Sequence, residues 1–449
     1  MLCHSISEKT WSIEMAQQKK KQQKSYILVY IVIFLVVVVV GITATIIGVV
    51  KHNQNKNNPT TAKTAVSEEV ETTAKSKEAT AKIQMTGDVL LHQTTAGDTV
   101  AGAAKVTGKY DFHKYFSEID EYIDADMALC DIEGTVDIHG GDKDLSYYPT
   151  FNLPYEILPC LKDVGFTGIV TANNHIWDFG ADGAYATVDN IKKEGLLEFG
   201  TYKSAEAAKK PYIVDVNGIK VGVLAWTDST NGSYMDEEHI GFITKTFNSD
   251  DISSADKILE DVKILQDNGA EFIIACIHWG VEYQDEPGDV QRQIAHKLID
   301  GGVDFLMGNH PHCLQPMEKV STKRGDKTVD RYITFALGNF IGDQIVLEKE
   351  GLKTQQAAIA TINIKKDSSG FVDITSGEYL PVLTHAYYKD GVKNDYKVLP
   401  MTSLKNHPIP CAYASESYFT SSYERVTKLL GNALPVSKFA ADKQMPENT

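Results

Sequence analysis

Seven side chains suited to metal or proton chemistry sit just beyond short apolar runs in this 449-residue chain. Asp88 lies in TGDVLLH, Glu133 in LCDIEGTV, and Asn174 and His175 in TANNHIWDFG. His278 lies in CIHWGVEYQDEP, and His310 and His312 in LMGNHPHCLQP. Imidazole, carboxylate and amide donors together suit zinc, manganese or iron better than calcium. The proline between His310 and His312 stiffens the backbone. In an extended segment alternate residues face one way, so the two imidazoles are expected to approach one or two ions as a pair.

Each residue also has an ordinary reading. Asp88 follows a strand-like run and could cap a helix instead. His92, four residues on, is within reach of the same centre, but its leucine neighbours equally suit a partly buried histidine. Asp131 and Glu133 are two apart and share a strand face, so both could point at the site; Glu133, at the strand end beside Gly134, is preferred. Asn173 and Asn174 are poor strand residues, and their pairing before His175 implies a turn whose side chains are used. His175 is the candidate proton donor, Asp178 can orient its imidazole, and Asn173 is a substrate-binding candidate. Trp279, Glu282 and Tyr283 are expected to edge a polar aromatic pocket. Asn339, in FALGNFIGDQ, is assigned a substrate-facing place beside a tight Gly338 turn.

These residues need a scaffold that gathers strand ends. AKIQMTGDVLL, DMALCDIEG, FTGIVTANNH, GIKVGVLAWTD, AEFIIACIHWG, VDFLMGNHPH and RYITFALGNF read as strands. Between them PYEILPCLKDVG, GAYATVDNIKKEG and SADKILEDVKILQDNGA have helical character. The alternation predicts a layered α/β fold, in which ligands collect beyond the carboxyl ends of strands.

The globular part is expected over 83–385, with a C-terminal extension over 386–449 partly packed on it. Residues 25–50 form an uncharged apolar run long enough to cross a bilayer. The cationic KKKQQK before it predicts a cytoplasmic 1–24, a transmembrane helix 25–50 and an extracellular remainder in a single-pass cell-membrane protein. The polar stretch 51–82 reads as a flexible stalk. Six cysteines without a C-x-x-C pair indicate neither a zinc knuckle nor a disulfide framework. A formal charge of −16 argues against nucleic acid as a partner.

TGDVLLH, DIEG, ANNHIWDFG, HWGVEY, GNHPHCLQP and FALGNFI, in this order, resemble the CapA (PgsA) family of bacterial capsule and poly-γ-glutamate synthesis. That family is related to the calcineurin-like metallophosphatases. The resemblance implies a four-layer α/β/β/α sandwich over a metal centre. It implies ligands at Asp88, Glu133, Asn174, His278, His310 and His312, with His175 as the acid beside the scissile bond. The chain departs from the metallophosphatase pattern at Leu90, where Asp-x-His would place a histidine that His92 could replace. It also departs at Glu133, where an Asp is usual.

Two functions follow from the resemblance. The first is a metal-dependent hydrolase or transferase acting on an amide or ester of an anionic polymer such as poly-γ-glutamate. The second is a non-catalytic subunit that binds the polymer and helps export it beside a membrane synthase.

Overall fold

The computed structural model describes residues 76–437 apart from 93–99, 107, 141–143, 233–238, 240–241, 343, 345–352, 390–391 and 402–415. The expected segments 1–24 and 25–50, and the stalk as far as residue 75, lie outside them. Among the described residues no helix is long and apolar enough to cross a membrane.

Two sheets carry the site. The first holds β1 (Ala79–Val89), β2 (Met127–Ile132), β3 (Gly168–Val170) and β4 (Leu197–Phe199), all parallel neighbours in that order. The second holds β5 (Tyr212–Val216), β6 (Ile219–Thr227), β7 (Phe272–His278), β8 (Phe305–Asn309), β9 (Met317–Arg324) and β10 (Lys327–Thr334), in the order β9-β10-β8-β7-β6-β5. β11 (Asn339–Ile341) returns to the first sheet and runs parallel to β1. β12 (Gln356–Lys366), β13 (Val372–Lys389) and β14 (Val392–Pro400) extend that sheet by antiparallel pairing. The run RYITFALGNF is therefore not one strand: its first half ends β10 and its last residues begin β11 in the other sheet.

Side-chain alternation makes the layers. On β2, Met127 and Leu129 enter the core between the sheets, while Ala128, Cys130 and Ile132 face outward. On β7, Phe272, Ile274 and Cys276 face the same inter-sheet core, and Ile273, Ala275 and Ile277 face out. Helix α1 (Ile157–Val164), with Ile191 of α2 (Gly180–Lys193), covers the first sheet. Helices α3 (Ala255–Asp267) and α4 (Asp289–Asp300) cover the second. The result is helix, sheet, sheet, helix, in keeping with the expected α/β/β/α layering.

Two boundaries differ from those expected. β1 begins at Ala79, inside the stretch read as stalk. β13 runs through residue 385, and Val426 and Leu430 of α5 (Glu416–Leu430) join the inter-sheet core. Cys130, Cys160, Cys276 and Cys313 are buried free thiols.

Candidate metal centre

Strand parity places the centre between the two sheets. Asp131 and Glu133 share the inward parity of Met127 and Leu129. His278 and Asn309 share that of Phe272 and Phe305. On β1 the parity would bring Gly87 inward, but Met85 pairs with Leu129 and Asp88 with Asp131. Three β1 residues therefore span two of β2, a bulge that turns the Asp88 carboxylate inward. The bulge needs a glycine: a Cβ on Gly87 would lie 1.7 Å from the Gly338 carbonyl oxygen.

Six side chains, from the ends of β1, β2 and β7 and the loop after β8, converge there. Ligand atoms of Glu133, His278 and His310 lie within 4.8 Å of one another, as do those of Asp88, Asp131 and His278 and those of Asp88, Glu133 and His312. The three groups share members and form one cluster. The Asn174 amide oxygen joins it 2.9 Å from His278 Nε2. Both carboxylate oxygens of Asp88 and both of Glu133 are buried without a hydrogen-bond partner. Four orphaned buried oxygens are costly in a folded protein unless a cation takes them. The oxygen and imidazole donors fit a divalent transition ion.

His310 and His312 both reach the cluster, but not as an extended pair. Their φ angles are +101° and +56°, so the segment turns at each histidine. Non-glycine residues in this region are strained, and such strain gathers at functional sites. His310 Nδ1 lies 3.2 Å from His278 Nε2, and His312 Nδ1 lies 3.5 Å from both Asp88 and Glu133.

Burial dominates the electrostatics. It raises the Asp88 and Glu133 carboxyls, the latter strongly, and takes Asp131 up to about 8 against hydrogen bonds from Asn173 and Asn309. It takes His278 down to about 4 and pushes His310 well below the usual imidazole value. At His312 burial also acts downward, but Glu133 and Asp88 outweigh it and raise the imidazole to about 10.

His175 stands at the edge of the cluster. Its Nδ1–H donates to Asp178 Oδ2 at 2.8 Å, which leaves Nε2 facing inward, 3.8 Å from Glu133 Oε1. Asp178 Oδ2 also accepts the Phe151 backbone N–H at 2.7 Å, and the Phe151 ring meets His175 edge-on at 4.6 Å. A carboxylate behind Nδ1 fixes both tautomer and ring orientation. The Asn231 amide nitrogen lies 3.1 Å from Nε2.

Several expected roles change. Asn173 is fully buried and its Nδ2 donates to Asp131 Oδ1 and the Ile132 carbonyl, so it braces the turn and is not open to substrate. Trp279 is wholly buried in the core under α4, donating to the Phe335 carbonyl, because it has the outward parity of Ile277. Asn339 faces His312, with Oδ1 3.1 Å from its Nδ1, and its Nδ2 donates to Gln344 and Thr354. It positions a ligand candidate instead of meeting substrate. His92 is absent from the three clustered groups; its ring packs 5.0 Å from Tyr148 and 5.9 Å from Phe151. Tyr283 is half-buried, 6.0 Å from the His312 ring, and Glu282 is exposed and lines the adjoining cavity.

Three participants were not assigned from the sequence. Asp131 belongs to the cluster, as its two-residue spacing from Glu133 allows. Asn309 directly precedes His310 and hydrogen-bonds Asp131. Asn231 joins Asn174 and His175 from a loop whose only local signal is an Asn-Gly turn.

A family model described as bacterial capsule synthesis protein PGA_cap matches residues 82–344. The PGA biosynthesis protein CapA of Bacillus subtilis (strain 168) is 27% identical over 335 residues, covering 74% of this chain and 82% of that protein. The capsule biosynthesis protein CapA of Bacillus anthracis is 25% identical over 310 residues, covering 66% and 69%. Among solved structures, the NAD nucleotidase of Haemophilus influenzae aligns at 12% identity with a TM-score of 0.40, over 79% of this chain and 64% of that one. A putative 5'-nucleotidase from Staphylococcus aureus also aligns at a TM-score of 0.40 and 12% identity, over 69% and 56%. With more than half of its length under the family model, the chain belongs to the bacterial capsule synthesis protein PGA_cap family.

Proposed function

We propose that this protein acts in capsule or poly-γ-glutamate synthesis or export as a metal-dependent hydrolase or transferase. Its substrate is an amide or ester of an anionic polymer, handled outside the cell beside membrane synthase subunits. The apolar run 25–50 anchors it with the N-terminus in the cytoplasm. The observation that carries the reading is the set of four orphaned carboxylate oxygens on Asp88 and Glu133, beside a histidine that Asp178 holds.

Asp88, Asp131, Glu133, His278, His310 and His312, with Asn174, would hold one or two divalent ions of manganese, zinc or iron. Such an ion supplies Lewis-acid activation of a carbonyl or of water. The remaining chemistry belongs to the chain. Asp178 accepts the His175 Nδ1–H and fixes the ring so that Nε2 can deliver a proton to a leaving group. Asn231 and the edge of Phe151 limit the motion of that ring. Asn339 Oδ1 lies 3.1 Å from His312 Nδ1, the same nitrogen that faces Asp88 and Glu133, and so helps orient that ring.

The test incubates the full chain, loaded with manganese, with poly-γ-glutamate and follows polymer length by electrophoresis. Wild type is expected to shorten or transfer the polymer. His175→Ala should retain metal and lose about 10²–10⁴-fold in rate, the usual worth of a positioned acid. Metal-loaded wild type that binds polymer without turning it over would replace this reading with the export subunit.

A further inference from the structure

Two imidazoles at the centre share one arrangement. Asp178 Oδ2 lies 2.8 Å behind His175 Nδ1, and Asp131 Oδ2 lies 3.1 Å behind His278 Nδ1. In each ring Nε2 is then left on the inner side. His278 Nε2 lies 2.9 Å from the Asn174 amide oxygen, 3.2 Å from His310 Nδ1 and 3.8 Å from Glu133 Oε1. Donor atoms from three separate segments thus surround Nε2, while Nδ1 faces a single carboxylate.

Proximity alone would admit Asp131 as a ligand, because its carboxylate lies within 4.8 Å of ligand atoms on Asp88 and His278. Its hydrogen bonds argue otherwise. Oδ2 faces His278 Nδ1, Oδ1 accepts from Asn173 Nδ2 at 2.8 Å, and Asn309 hydrogen-bonds the same carboxylate. A carboxylate offers about four acceptor positions, so most of this one is engaged. Asp88 and Glu133 differ, since both oxygens of each are buried with no hydrogen-bond partner. The acids of the centre therefore divide into two whose oxygens are open to a cation and one whose oxygens already serve the protein.

We infer that Asp131 is a positioning residue. It accepts the His278 Nδ1–H, fixes that ring with Nε2 toward the centre, and acts on the ion through His278, not by direct ligation. A carboxylate behind a ligating imidazole sets its tautomer and raises its basicity. The inference rests on the metal centre proposed above and is independent of the reaction assigned to it.

The experiment titrates zinc into the metal-free full chain against a competing chelator. Wild type, Asp131→Ala, His278→Ala and the double variant are compared, and melting curves establish that each is folded. Asp131→Ala should bind as many ions as wild type, with 10- to 100-fold lower affinity. The double variant should bind no more weakly than His278→Ala, because a residue that acts through another adds nothing once the other is gone. A further tenfold loss in the double variant, or unchanged affinity in Asp131→Ala, overturns the inference. Nitrogen-15 NMR of zinc-loaded, histidine-labelled wild type gives a second measurement that does not need the His278 variants. His310 and His312 face the cluster with Nδ1, so an imidazole bound through Nε2 and protonated at Nδ1 marks His278. That Nδ1–H signal should be present and should move in Asp131→Ala; its absence from wild type overturns the inference. Folded wild type that takes up no zinc removes the proposed centre, whereas bound zinc with additive losses removes the role of Asp131 alone.

Discussion

Asp178 Oδ2 lies 2.8 Å from His175 Nδ1 and, through the same oxygen, 2.7 Å from the Phe151 backbone nitrogen. One atom therefore holds the imidazole and ties it to the loop that supplies its aromatic neighbour. Asp178→Asn either leaves an uncharged oxygen at that position or, with the amide turned, puts an N–H donor where both contacts need an acceptor. The expected result is a 10- to 100-fold loss of turnover with metal content unchanged, the usual scale for such an orienting partner. Rates on poly-γ-glutamate, read beside elemental analysis, check it. Loss of metal in this variant would contradict a purely orienting role.

The orphaned oxygens of Asp88 and Glu133 make stability depend on the ion. Adding manganese at 100 times its dissociation constant should stabilise the chain by about 2.7 kcal/mol, and a chelator should reverse it. His310→Ala with His312→Ala should abolish this shift in a thermal melt. An equal shift in that double variant would place the ion elsewhere.

Gly87 and Gly338 set the bulge that turns Asp88 inward. A methyl at Gly87 meets the Gly338 carbonyl oxygen at 1.7 Å, a clash with backbone that cannot swing away. Gly87→Ala should cost about 3 kcal/mol or more and remove bound metal together with it. Denaturant unfolding measures the first and elemental analysis the second.

Trp279 tests the difference between a pocket edge and a core residue. Trp279→Ala leaves a cavity under α4 and strands the Phe335 carbonyl. The expected loss is about 3–5 kcal/mol of stability. At a temperature where the variant remains folded, KM should not change. A selective rise in KM without destabilisation would restore the substrate role.

Glu198 carries a pH dependence away from the metal cluster. Burial raises its carboxyl from 4.5 to about 7, against hydrogen bonds from Thr201 N–H and the Thr171 hydroxyl. The folded chain then holds a proton that the unfolded chain has released. Stability falls as pH rises from about 4.5 to about 7 and levels off above it, by at most about 3 kcal/mol. Glu198→Gln keeps an oxygen for both donors, so it should exceed wild type in stability at pH 8 and match it at pH 4. Melting curves at the two pH values decide; a constant offset at both would rule out the titration.

Much of the site was legible in the sequence because strand periodicity and chain order are local properties. Asp88, Glu133, Asn174, His175, His278, His310 and His312 all follow apolar runs, and the structure brings all of them to one place. Asp178 lies within hydrogen-bonding reach of His175 because a turn of three residues joins them, and that too is readable locally.

What the sequence could not decide was parity and partner. Trp279 follows His278 by one residue and so points to the opposite face, into the helix layer. Asn173 precedes Asn174 and spends its amide on Asp131 across the strand gap. Asn339 sits in a run that looks like one strand and is split between two sheets, which sets it against His312. Asp131 enters the cluster only because the second sheet brings His278 to 3.1 Å from it. The sequence by itself determined which residue types end the strands. The packing of one sheet on the other, and the bulge at Gly87, decided which of them meet, because hydrogen bonds and ion contacts depend on distances between chain segments more than a hundred residues apart.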